Sequence, residues 1–205
     1  MHAVKTVLAL GAHPDDLELG CGATLAKLCA AGVIVHAVVF SEGTKGATDG
    51  ADRAAESRAA LESLGVASVT QHQFADTRLH QSLNELIEVT EEHVRELKPD
   101  RVYTMFHLDR HQDHRTVHEA SVVACRRVPQ ILGYETPSSY PNFTPTVFEP
   151  VDDTIEAKVR ALKIHASQGE RLYMQEEKIR SAAHFRGVQV DLGQTEGFIP
   201  YKLVL

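Results

Sequence analysis

The chain has 205 residues, 43% hydrophobic and 24% charged, which reads as one globular domain over residues 1–205, long enough to bury a core without disulfides. Its formal net charge of −7 argues against nucleic acid as a partner, because phosphate binding asks for a basic face. No apolar run approaches the roughly 18 residues of a membrane span, no secretory leader is recognisable, and three cysteines without a CxxC suit a reducing compartment, so a cytoplasmic location is expected.

Residues 4–10 read as a buried strand and 11–20 as a loop. A helix over 22–31 stops at Gly32, and a second buried strand covers 33–40. Residues 41–52 are rich in Gly, Thr and Asp and form a loop, and a helix over 53–64 ends at Gly65. The alternation continues with a strand at 69–74, then a helix over 82–97 with Leu83, Leu86, Ile87, Val94 and Leu97 on one stripe. A strand at 101–106, a helix at 114–127 and a strand at 130–134 follow. Residues 137–150 hold four prolines and read as an irregular connection. A helix over 152–165 starts at Asp152 or Asp153, a further helix spans 175–185, and a last strand covers 198–205. Repeated strand–helix–strand units predict an α/β fold with a mostly parallel sheet. Ligands of such sheets bind beyond the carboxyl ends of the strands, which selects loops 11–20, 41–52, 75–81 and 107–113.

Two of those loops carry dense chemistry. The first places His13, Asp15, Asp16 and Glu18 within six residues, directly after a buried strand. Pro14 fixes its own φ and removes a donor, so the turn can aim neighbouring side chains at one point. The plain alternative is a loop whose acids cap the next helix. The second loop holds His107, Asp109, His111, Asp113, His114 and His118, a spacing that also suits a polar helical stripe. His118 falls one turn beyond His114 and reads as structural. Together the loops offer His, Asp and His donors for a catalytic metal, with carboxylates left over to orient the imidazoles and to act as a base. Other readings fail on specific residues: position 25 is Leu where a dinucleotide fingerprint needs Gly, and there is no P-loop, GxSxG or HExxH. Cys21 reads as a packing residue.

The string Ala12-His13-Pro14-Asp15-Asp16-Leu17-Glu18-Leu19-Gly20, with His111-Gln112-Asp113-His114, resembles the zinc-dependent N-acetylglucosaminyl deacetylase family, called PIG-L or LmbE-like. Arg53-Ala54-Ala55-Glu56 and Phe74-Ala75-Asp76 extend the similarity over most of residues 4–125. The resemblance implies a Rossmann-like three-layer sandwich and an enzyme that removes an N-acetyl group from an amino sugar or its conjugate. It implies His13, Asp16 and His114 as ligands of Zn²⁺, with Fe²⁺ or another divalent metal as the alternative. Asp15 would be the general base, His111 the general acid or oxyanion stabiliser, and Asp113 the residue that orients His111. Arg53, Asp76 and Glu42 would meet sugar hydroxyls. Homo-oligomerisation is expected by resemblance only. The chain departs from the family at Leu17, where Glu is commonest and the acid here stands at Glu18. It departs again at Asp109, where some members carry an aromatic residue. The runners-up are a metal-dependent hydrolase of another amide or ester, and a non-catalytic metal- or sugar-binding protein.

Overall fold

The computed structural model describes residues 4–47 and 50–204. Five of the expected strands are present as β1 (Thr6–Gly11), β2 (Ile34–Val39), β3 (Ser68–Gln71), β4 (Arg101–Met105) and β5 (Gln130–Tyr134). They pair in parallel in the order β3-β2-β1-β4-β5. The central strands are nearly continuous apolar runs, with Val7 to Leu10 and Val38 to Phe40 wholly buried, as a sheet covered on both faces requires.

The connecting helices are α1 (Asp16–Ala30), α2 (Arg53–Ser63), α3 (Leu83–Leu97), α4 (Gln112–Ala124), α5 (Ile155–Ile164) and α6 (Glu176–Val188). Helices α1 and α2 pack with α5 on one face, and α3 packs with α4 on the other, giving the expected three layers. On the expected stripe of α3, Leu86 is fully buried and its neighbours pack against the same core. Gly32 and Gly65 take φ of 83° and 90° just past α1 and α2, the left-handed conformation that ends a helix. The chain runs outward from β1 through β2 to β3, then returns to β4 on the other side of β1. The loops leaving β1 and β4 therefore part at the topological switch point, where open α/β sheets bind ligands.

Several boundaries differ from the sequence reading. Residues 147–150 are not irregular but form β6 (Val147–Pro150), which pairs antiparallel with β7 (Thr195–Leu203) beyond β5. β6 is the edge strand, where proline's missing N–H is tolerated. The last strand starts three residues earlier than expected, and Leu205 lies outside the described residues. Helix α5 is preceded by Thr154, whereas Asp152 accepts the N–H of Gln194 at 2.8 Å. Among the described residues no helix is long and apolar enough to cross a membrane.

The largest difference is α1, which begins at Asp16 rather than at position 22. It is broken at Cys21, whose φ of −143° and ψ of 15° are not helical. Cys21 is fully buried in the core, and burial pushes its thiol well above the usual range, as its packing role implies. The preceding Gly20 lies against the ring of Tyr134, whose hydroxyl donates to the carbonyl of Leu10 at 2.8 Å. A Cβ at position 20 would stand 2.1 Å from Tyr134 Cδ2, so the buried Tyr134 ring or the backbone would have to shift. Gly20→Ala should therefore destabilise the fold by about 1–3 kcal/mol. At this size that lowers Tm by roughly 2–4 °C per kcal/mol, readable by thermal denaturation. An unchanged Tm would mean that the α1–Tyr134 contact is not fixed.

Candidate metal centre

His13, Pro14 and Asp15 leave the carboxyl end of β1 in a strained turn. Asp15 has φ of 96°, unusual for a residue with a side chain. It occupies the N-cap position of α1 but makes no capping hydrogen bond. The neighbouring Asp16 instead accepts the main-chain N–H of His13 at 2.7 Å and so fixes the turn. The Asp15 carboxylate is left to face Arg53, whose NH2 lies 3.2 Å away.

Asp16 stands between two imidazoles. Its carboxylate lies 3.5 Å from His13 Nδ1 and 3.3 Å from His114 Nε2. The far nitrogen of each ring meets another carboxylate. His13 Nε2 lies 3.1 Å from Asp113 and 3.3 Å from Asp76, and His114 Nδ1 lies 3.2 Å from Asp109. His13, His111 and His114 also bring one ring nitrogen each within 4.8 Å of the others. His13 and His114 flank Asp16 and have carboxylates behind their rings, a donor set whose chemistry fits a divalent metal ion with N/O preference.

The Asp113 assignment needs correction. Its carboxylate does not orient His111: it takes His13 together with the main-chain N–H groups of Thr77 at 2.7 Å and Leu79 at 3.1 Å. What positions His111 is the main-chain N–H of Asp113, which donates to His111 Nδ1 at 3.2 Å as α4 begins. An accepting Nδ1 assigns the neutral ring's proton to Nε2. Burial, then the charges of His13 and His114, lower the pKa of His111 and keep the ring neutral.

Asp109, read in the sequence only as a departure from the family, is a hub. Fully buried, it accepts the N–H of His111 at 2.8 Å and the hydroxyls of Ser138, Thr136 and Ser139 at 2.6, 2.8 and 3.1 Å. Burial opposes its charge, but the bonds from His114 and Ser138 outweigh that and hold its pKa at about 2. These contacts give the proline-rich segment a role, since they fix it at the edge of the centre.

The expected sugar-contacting residues are placed unequally. Arg53 donates to the carbonyls of Gly43 and Pro14, both at 2.8 Å, so much of its capacity holds the two loops together. Asp76 accepts the N–H of Lys45 at 2.6 Å beside His13. Both line a cleft of about 400 Å³ over the centre, but Glu42 does not line it and binds Gln73 Nε2 at 2.9 Å. The sequence reading missed Gln168, Arg171 and Tyr173, which line the far wall of the cleft from the segment after α5. It also missed His165, fully buried 2.8 Å from Glu18, the acid that replaces the one expected at position 17.

The break in α1 is held from β7. Glu196 accepts the N–H groups of Ala23 at 3.3 Å and Thr24 at 2.8 Å, which the break leaves without helical partners. Lys158 donates to Glu196 at 2.7 Å and to the freed carbonyl of Leu19 at 2.6 Å. The turn carrying Asp16 is thereby separated from the rest of α1 and fixed against the sheet.

The electrostatics follow from burial. Burial and the adjacent Asp16, only partly offset by Arg53, push the Asp15 pKa up to about 7. Burial opposes the charge of His114, but Asp16 and Asp109 outweigh it and raise its pKa to about 9. His13 is likewise raised, with hydrogen bonds to Asp113, Asp16 and Asp76 overcoming its burial.

A family model described as PIG-L, GlcNAc-PI de-N-acetylase, matches residues 8–125. The protein named uncharacterized deacetylase YaiS from Escherichia coli K12 is 51% identical over 170 residues, covering 80% of this chain and 91% of its own length. Diacetylchitobiose deacetylase from Thermococcus kodakarensis is 30% identical over 192 residues, 80% of this chain and 70% of its own. The solved structure of N,N'-diacetylchitobiose deacetylase from Pyrococcus horikoshii with its inhibitor MPG superposes with a TM-score of 0.83 at 25% identity, covering 96% and 84% of the two chains.

Two outcomes are expected of the centre. The raised pKa values of His13 and His114 favour their charged forms without metal, so loading a divalent ion at pH 7 should expel about one proton from His114 and a further share from His13 and Asp15. Calorimetry in buffers of different ionisation enthalpy measures this, and release near zero would count against these imidazoles as donors. The double variant Glu196→Gln/Lys158→Met should weaken divalent-ion affinity by about tenfold or more at temperatures where circular dichroism shows the fold intact. Unchanged affinity would mean that the break in α1 holds without this pair.

Proposed function

The chain belongs to the PIG-L family, and on that premise we propose that it hydrolyses the N-acetyl group of an amino sugar or its conjugate, with a divalent ion held by His13, Asp16 and His114. One observation carries the proposal. A buried carboxylate, Asp15, stands next to the Asp16 donor but makes no capping bond of its own. A protein that only bound a metal would have no use for this strained and desolvated acid.

A bound zinc or iron ion would supply Lewis acidity, polarising the acetyl carbonyl and bringing the pKa of a water toward about 7. Asp15 takes a proton from the attacking water as its oxygen adds to the acetyl carbon. The Nε2–H of His111 donates to the oxygen that becomes negative in the tetrahedral state. The C–N bond then breaks as the amine nitrogen gains the proton that Asp15 took from the water, leaving acetate and a free amino sugar. Arg53 keeps the Asp15 carboxylate turned toward the cleft and tempers its raised pKa. Asp113 and Asp109 hold the two imidazoles from behind. The sugar would lie in the cleft, where Asp76 and Arg53 are the nearest candidates for its hydroxyls.

The test pairs metal content with acetate release from N-acetylated amino sugars. Asp16→Ala and His114→Ala should lose the ion, whereas Asp15→Asn should keep it and lose about 10²–10⁴-fold in kcat. Full turnover in Asp15→Asn would sink the assignment of the base. Stability supplies an independent readout. The Asp15 pKa of about 7 in the fold exceeds its unfolded value, so its ionisation costs stability as pH rises through the window between the two. Asp15→Asn should therefore melt above the metal-free wild type at pH 8, with the difference vanishing toward pH 4.

A further inference from the structure

A second cavity of about 360 Å³ lies beside the metal cleft, and Leu19, Thr136, Pro137 and Tyr173 line both. Its wall is largely apolar: Leu19 and Tyr173 on the shared side, then Ile179, Ala182, Ala183 and Phe185 along α6. Apart from the Tyr173 hydroxyl and Lys178, the polar side chains around it are already committed within the protein. Lys158 and Glu196 bind each other at 2.7 Å, Arg186 holds Glu135 at 2.6 Å, and Thr195 donates to the carbonyl of Gly193 at 3.3 Å. Thr136 and Ser139 spend their hydroxyls on Asp109. Lys178 stands exposed at the solvent edge.

We infer that this chamber takes the aglycone of the substrate, and that the aglycone is an uncharged apolar group such as an alkyl chain or an aryl ring. The inference rests on the reading of the neighbouring cleft as the amino-sugar site. The physical argument is one of satisfaction. A second sugar brings several hydroxyls, and in this chamber the side chains leave them little to bond, so its desolvation would go uncompensated. An apolar group loses nothing there and covers Ile179, Ala183 and the Tyr173 ring from water. The four shared lining residues make the two cavities neighbours, and on this inference one molecule is seated across both. Phe185 is 59% exposed at the outer end, where a longer chain would find further apolar contact.

The test is a series of β-glycosides of N-acetylglucosamine with methyl, butyl and hexyl aglycones, set beside N,N'-diacetylchitobiose, on the metal-loaded chain. The rate kcat/KM should rise by up to about fourfold per methylene buried, and the disaccharide should fall below the hexyl glycoside. Ala182→Trp, at the exposed side of the chamber, and Ala183→Trp, at its buried side, should flatten the series, read as the ratio of hexyl to methyl kcat/KM. A flat series in the wild type, a preference for the disaccharide, or a slope that survives in a folded tryptophan variant overturns the inference. If none of the glycosides is hydrolysed, the deacetylase reading fails. The chamber is then decided by calorimetry with methyl and hexyl β-glucosides. A tighter hexyl ligand whose advantage Ala182→Trp removes supports it, and equal affinities overturn it.

Discussion

Glu196 reaches from β7 to two N–H groups that the break in α1 leaves without helical partners, and Lys158 answers on the carbonyl side of the same break. A continuous helix would have no such groups to satisfy. The break lets the first turn of α1 lie at its own angle, so that Asp16 can face His13 and His114 while the remainder packs on α5. Gly20 admits the ring of Tyr134 at the same place, and Tyr134 ties the break to the end of β1. The metal centre therefore depends on a polar clamp built inside the hydrophobic layer. The paired and fully bonded state of that clamp is what makes its burial tolerable.

The centre itself concentrates like charges. Asp15, Asp16, Asp109 and Asp113 are all buried, and two imidazoles serve three of them. Without a cation the balance is struck by protons: His13 and His114 are held protonated and Asp15 tends to the neutral acid. A divalent ion held there would replace those protons with fixed charge and favour the Asp15 carboxylate. On the proposed assignment, binding of the ion and readiness of the base would be one electrostatic event, because Asp16, which after burial is the group that most disfavours the Asp15 charge, is the group whose charge the ion would neutralise.

Much of this was legible in the sequence. The central strands announce themselves as apolar runs, because a sheet covered on both faces has no polar alternation to hide them. The two site loops stand out because five histidines and several aspartates are gathered after two strands. The partner of each acid was harder to read. Asp113 and Asp109 sit four positions apart around His111, and local spacing suggested that Asp113 steadies the nearest ring. The turn of α4 sends its carboxylate instead to His13, a hundred positions away, and leaves its main-chain N–H for His111. The start of α1 was obscured because Asp15 takes a left-handed conformation and the following acids read as loop. Glu196, Lys158 and His165 gave no signal at all, since each is a lone residue whose meaning comes from the element it packs against.

The clamp joins the two extremes of the fold. Ala23 and Glu196 are 173 positions apart, and every residue proposed to touch the ion lies far upstream of Glu196. A ribosome adding about 5–20 residues per second exposes His13, Asp16 and His114 many seconds before the strand that fixes their turn. Closing so long a loop is a late event in folding, because its entropy is spent before its contacts are gained. The nascent chain thus displays a histidine–aspartate cluster with the right donors and a loose geometry. The shape proposed to hold an ion arrives only when β7 zips antiparallel onto β5, so ion binding would be timed to the completion of the sheet.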